Sequence, residues 1–88
     1  MEKKLLIRTV AAKLLEKIYL ESDSSLKANI DTTDIISEDI NKTTIQKAGQ
    51  YLMKKQLVST DRTVADTWVV TITYQGIDWL EDWYKSNN

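Results

Sequence analysis

Cysteine, histidine and proline are absent from this 88-residue chain, and glycine occurs only at positions 49 and 76. Without cysteine there is no disulfide, no thiolate nucleophile and no thiolate-bound zinc, and a reducing compartment is the natural home. Without histidine the commonest general base and the commonest metal ligand are missing as well. Scarce glycine and absent proline argue against disorder and long linkers. The serines (22, 24, 25, 37, 59 and 86) have no base near them in sequence, and no glycine-rich loop is present to cradle a phosphate. Carboxylates at Glu38/Asp39 and Asp78/Glu81/Asp82 sit on expected helix surfaces. These absences point away from an enzyme, and neither a cofactor nor a metal is expected. The apolar stretch near the N-terminus is broken by Arg8, Lys13, Glu16 and Lys17. No membrane span and no signal peptide are therefore expected, and a cytoplasmic location follows.

The apolar content of 42% and charged content of 28% are those of an ordinary globular protein, so one domain over 1–88 is expected. Net charge is −1, which does not advertise a nucleic-acid partner, but its distribution is uneven. Residues 41–62 hold Lys42, Lys47, Lys54, Lys55 and Arg62 against Asp61 alone. Residues 66–84 hold Asp66, Asp78, Glu81 and Asp82 with no basic residue.

Hydrophobic spacing predicts the elements. Ile7, Val10, Ala11, Leu14 and Ile18 recur with helical period, giving a first helix over 3–20. Ser22 to Ser25 form a break, and 26–30 hold a short extended piece ending at Ile30. Asp31-Thr-Thr-Asp34 resembles a capping box for a helix over 32–40, with Ile35, Ile36 and Ile40 inward. The next helix covers 42–55, opened by Asn41 as N-cap or by the Thr43/Gln46 box. There Ile45, Ala48, Tyr51 and Leu52 face inward, and Gln46, Lys47 and Gln50 outward. Gly49 costs that helix about 1 kcal/mol against alanine, so close helix packing or a close approach to a backbone is expected there. A hairpin follows, with strands at about 57–61 and 67–73 and a tip over Asp61 to Asp66. Trp68, Val70 and Ile72 alternate on one of its faces. A last helix over 74–85 places Ile77, Leu80 and Trp83 or Tyr84 on one face.

Two short helices running into a two-stranded wing resemble the winged helix-turn-helix regulators of bacteria, archaea and their phages. Thr44-Ile45-Gln46-Lys47-Ala48 through Tyr51-Leu52-Met53-Lys54-Lys55-Gln56-Leu57-Val58 is similar to the family's recognition-helix pattern, with Gln56 where glycine is usual. Ile72-Thr73-x-x-Gly76-x-x-x-Leu80-Glu81 resembles its exit from the wing. Small stand-alone proteins of the YjcQ type share that exit and this size. The resemblance covers roughly residues 5–84 and implies an α+β winged helix: a three-helix core, a two-stranded β wing and a C-terminal helix. It implies binding of double-stranded DNA for transcription regulation. Helix 42–55 would enter the major groove, and wing 59–66 would lie on the adjacent backbone or minor groove. The implied DNA-binding residues are Lys42, Thr43, Thr44, Gln46, Lys47, Gln50 and Arg62, the last at the wing tip.

The bland alternative is a solvated helix face and a soluble turn. A protein-interaction winged helix that does not bind DNA is the competing functional reading. Trp68, Trp79 and Trp83 lie in the acidic stretch, which favours core or dimer packing over stacking on single strands. Leu6, Leu15, Trp79 and Trp83 exceed the apolar stripe a small core needs, and a homodimer through the first or last helix is expected from them.

Overall fold

The computed structural model describes residues 7–31, 33, 40–64 and 67–86, with the backbone alone at 61–64. Among these residues the chain runs α1 (Ile7–Glu21), β1 (Lys27–Asp31), α2 (Lys42–Lys54), β2 (Val58–Val64), β3 (Thr67–Ile72) and α3 (Tyr74–Ser86). The result is a small α+β structure whose order is compatible with a winged-helix layout. Residues 3–6 of the expected first helix, and nearly all of the helix expected over 32–40, lie outside the described residues. Ile40, expected to face inward, is buried. Asp31 Oδ1 accepts from the Thr33 N–H and the Thr33 hydroxyl, a local turn just past β1.

Helix α1 is the hub. It packs against α2, β1, β3 and α3. Two stripes along it are consequently buried, Val10/Leu14/Ile18 and Ala11/Leu15. Burying one such aliphatic side chain contributes about 1.5–3 kcal/mol. The exposed Lys17–Glu21 pair on the same helix is worth about 0.3–0.5 kcal/mol, so packing sets the position of α1. This corrects the expectation for Leu15: it is fully buried in its own chain and presents nothing to a second copy.

The sheet has three antiparallel strands in the order β1-β3-β2. The extended piece anticipated near 26–30 thus joins the β2–β3 hairpin and makes the expected two-stranded unit three-stranded. Ala28 pairs with Val70, Ile30 with Trp68 and Val58 with Ile72. All six are buried, so one face of the sheet closes the core. Strand β2 runs to Val64 and carries a bulge between Thr60 and Arg62. The hairpin is therefore longer than expected and its turn narrower. Arg62 is not at the tip; it pairs with Val69 inside the ladder. Period-2 patterning locates Trp68, Val70 and Ile72 well, but a polar edge strand has no such signature.

The end of α2 is where the elements are joined. Gln56 adopts a left-handed backbone with φ 61°. Its N–H donates to the Met53 carbonyl, and the Leu57 N–H donates to the Leu52 carbonyl. These two bonds form a Schellman stop, normally built on glycine. The carbonyls left over are met by the start of α3. Gln75 Nε2 donates to the Lys55 carbonyl, and the Thr73 hydroxyl to those of Gln56 and Leu57. The Thr73 N–H also donates to the Leu57 carbonyl. Thr73 Oγ1 in turn accepts from the Gly76 N–H, capping α3.

The two glycines differ in what they permit. A Cβ on Gly76 would lie 2.2 Å from the Leu57 carbonyl oxygen, which is backbone and cannot yield. A Cβ on Gly49 would lie 3.7 Å from the Trp68 ring, an ordinary contact. The close approach expected at Gly49 is therefore found at Gly76. Gly76→Ala is expected to cost about 1–3 kcal/mol or more, whereas Gly49→Ala should stabilise by about 0.5–1 kcal/mol. Chemical denaturation of both variants checks this; equal effects would refute the assignment.

The Tyr84 hydroxyl donates to Glu16 Oε2, tying α3 to α1. That bond to a carboxylate pushes the tyrosine pKa up to about 12 from the usual 10.0. A raised folded-state pKa means that the stabilisation is fully present below pH 10.0 and is lost as pH rises through about 12. Wild type should exceed Tyr84→Phe in denaturation midpoint by a constant margin below pH 10.0, shrinking as pH approaches 12. A margin independent of pH over that window would show that the hydroxyl bond is not its source.

Candidate nucleic-acid interface

Helix α2 is amphipathic in the phase its sequence suggests. Ile45, Ala48, Gly49 and Leu52 are buried, while Lys42, Thr43, Gln46, Lys47 and Gln50 are exposed. Asn41, left open against Thr43 above, is the N-cap: its Oδ1 accepts from the Thr44 N–H at 2.8 Å. The first turn contains no acidic residue. The partial positive charge of the helix start is thus uncancelled by its own side chains, and Lys42 and Lys47 add to it.

One expected contact residue is spent inside the fold. Thr44 is half-buried, and its hydroxyl proton goes to Asn41 Oδ1 at 3.0 Å. It has no donor left for a phosphate. Gln46, Lys47 and Gln50, by contrast, make no hydrogen bond or ion pair with any side chain among the described residues. They form one stripe with Thr43, and that stripe continues to Met53 and Lys54, both exposed. Sequence reasoning did not include these last two, although they follow Gln46, Lys47 and Gln50 at the same i+3/i+4 spacing.

Met53 also marks how the hairpin is held. The Trp68 indole Nε1–H donates to Thr60 Oγ1 at 3.1 Å, and the Thr60 hydroxyl donates to Met53 Sδ at 2.9 Å. This relay crosses β3, β2 and α2. It fixes the hairpin beside the Gln46/Met53 edge of the helix stripe. Arg62 lies two residues further along β2, paired with Val69. Trp68 is in the core with its N–H satisfied, as the packing reading expected.

The other edge of α2 borders a cleft of about 550 Å³, shared with α1 and α3. Its walls include Tyr51, Trp79, Arg8, Lys55, Asp78 and Asp82. Tyr51 meets Trp79 edge to face at 6.4 Å, and Trp79 stacks on Trp83 at 5.6 Å. Arg8 lies 5.6 Å over the Trp83 ring and Lys55 lies 5.8 Å from that of Tyr51. Trp79 and Trp83, expected at a dimer interface, are thus half-buried side by side, while Leu6 lies outside the described residues. Among the described residues no group of three or more His, Cys, Asp or Glu side chains is placed to hold a metal ion. No family model matches the chain, and no curated protein or solved structure does either.

Thr60 is the only member of the relay that both accepts and donates. Thr60→Val keeps the shape and strand propensity but strands the Trp68 N–H, and should destabilise by about 1–3 kcal/mol. Met53→Leu, which removes only a weak acceptor, should cost less. If the two substitutions have equal effects on the denaturation midpoint, the relay is not what holds the hairpin.

Proposed function

We propose that this chain is a winged-helix transcription regulator that binds double-stranded DNA as a homodimer. Helix α2 lies in the major groove and the β2–β3 wing on the adjacent backbone or minor groove. One observation carries the reading: the solvent face of α2, where exposed Gln46, Lys47 and Gln50 share a stripe beside the hairpin. Lys42 and Lys47 neutralise phosphates near the helix start, with Thr43 alongside them. Gln46 and Gln50 each present an amide that can pair with both edge groups of adenine. The winged-helix assignment is supported by the helix running straight into a hairpin and by the short first strand that completes its sheet. Cytoplasmic location belongs to the same reading; among the described residues no helix is long and apolar enough to cross a membrane.

The competing reading, a winged helix that engages a protein instead of DNA, draws on the net charge of −1 and on the aromatic cleft. The two are separated by salt-dependent binding to duplex DNA. Lys47→Ala and Arg62→Ala should weaken binding to all duplexes and flatten the log–log salt dependence by about 0.9 for each phosphate no longer neutralised. Gln46→Ala and Gln50→Ala should act on preferred sites alone, at about 1–3 kcal/mol for each base edge left unread. All four should stay folded by circular dichroism. Folded Lys47→Ala and Arg62→Ala proteins with unchanged affinity and salt slope would hand the helix face to the protein-partner reading.

A further inference from the structure

We infer that the aromatic cleft between α1, α2 and α3 is where a second copy of this chain docks. The inference rests on the homodimer named above and specifies its surface; it does not require DNA. An isologous interface joins a patch to itself, so the patch must be self-complementary. The positively charged stripe on α2 fails that condition, because two copies would repel. The cleft meets it. It carries two cations, Arg8 and Lys55, and two carboxylates, Asp78 and Asp82, around a floor of Tyr51 and Trp79. No ion pair joins these four charges to one another within the chain. All four are exposed, whereas the aromatics between them are half-buried.

The placement of the charges suits a two-fold axis near Trp79. Arg8 lies over Trp83, toward the C-terminal half of α3. Lys55 lies at the other end, where its carbonyl accepts from Gln75 in the first turn of α3. Two α3 helices crossing antiparallel at Trp79 would set Arg8 of one copy near Asp78 of the other, and Lys55 near Asp82. The apolar floor would supply the buried centre and the charges the rim, as in ordinary interfaces. The cleft uses the Tyr51/Lys55 edge of α2, so docking there leaves Gln46, Lys47, Gln50 and Met53 uncovered.

The test is a pair of opposite charge reversals, followed by sedimentation at tens of micromolar. Wild type should sediment at about twice the chain mass of 10.2 kDa. Arg8→Glu/Lys55→Glu makes the cleft wholly negative, and Asp78→Lys/Asp82→Lys makes it wholly positive. Each should self-associate about tenfold more weakly, or worse, when alone. An equimolar mixture should recover the dimer, because the two clefts are now complementary. If either double variant loses its helical circular dichroism, the milder pair Arg8→Glu and Asp78→Lys carries the same comparison. A monomeric wild type overturns the inference, and so does a double variant that dimerises like wild type. A monomeric wild type that gives a binding heat with free phenylalanine assigns the cleft to a small zwitterion instead, and also overturns it. Duplex binding measured on the same samples separates failure of the dimer surface from failure of the DNA reading.

Discussion

The Leu57 peptide unit is the point through which this fold is joined. Its N–H closes α2 by donating to Leu52, and its carbonyl accepts both the Thr73 N–H and the Thr73 hydroxyl. The same carbonyl occupies the space a side chain at position 76 would need. One residue thus fixes where α2 stops, where β2 starts and how closely α3 approaches. Moving the Leu57 carbonyl would disturb the cap of α3, the stop of α2 and the pairing that opens the hairpin together. The Thr-x-x-Gly sequence at 73–76 has a concrete meaning here. The threonine supplies a hydroxyl that both donates and accepts, and the glycine supplies an absence.

That junction has two consequences for surface chemistry. It aims β2 so that Thr60 reaches Met53, which sets the hairpin alongside one edge of α2. It also sets α3 against the opposite edge, where Tyr51 meets Trp79. Helix α2 is therefore flanked by the hairpin on one side and by the aromatic cleft on the other. Its solvent stripe lies between them. An event in the cleft and an event on the stripe involve the same rigid helix through residues one turn apart, such as Tyr51 and Lys47.

What could be read from the sequence divides along physical lines. Local periodicity places Leu52 inward, Gln46 outward and Trp68, Val70 and Ile72 on one sheet face, because each depends on neighbours a few residues away. The N-cap needed only a choice between two polar residues, and geometry makes it Asn41. The departures all depend on distant contacts. Leu15 looked surplus until α1 proved to be packed on several sides. Arg62 looked like a tip residue because a polar edge strand has no period to betray it. Thr44 looked like a donor until its proton was found in the cap. Gln56 flagged itself by standing where glycine is usual, yet nothing local showed that the chain would accept the left-handed strain. The cleft joins position 8 to positions 51–55 and 78–82, so no window of sequence contains it.

Net charge is a poor guide to what such a molecule can bind, because charge acts through its arrangement. Counterion release depends on how many phosphates meet lysines, which is a property of one face. On this chain lysines are exposed along α2, while Asp78, Glu81 and Asp82 are carried by α3. A protomer that meets few phosphates gains little affinity at physiological salt, and uniform positive charge would raise that affinity for any polyanion in any orientation. In the proposed complex the acidic residues on α3 would discourage approach by other faces, so the few lysines would orient the helix as well as attract. Joining two protomers then doubles the number of phosphates met without adding a basic residue to either. In the proposed dimer a self-complementary cleft of net zero charge suits that joining, since it would bring two α2 faces together without setting like charges against each other.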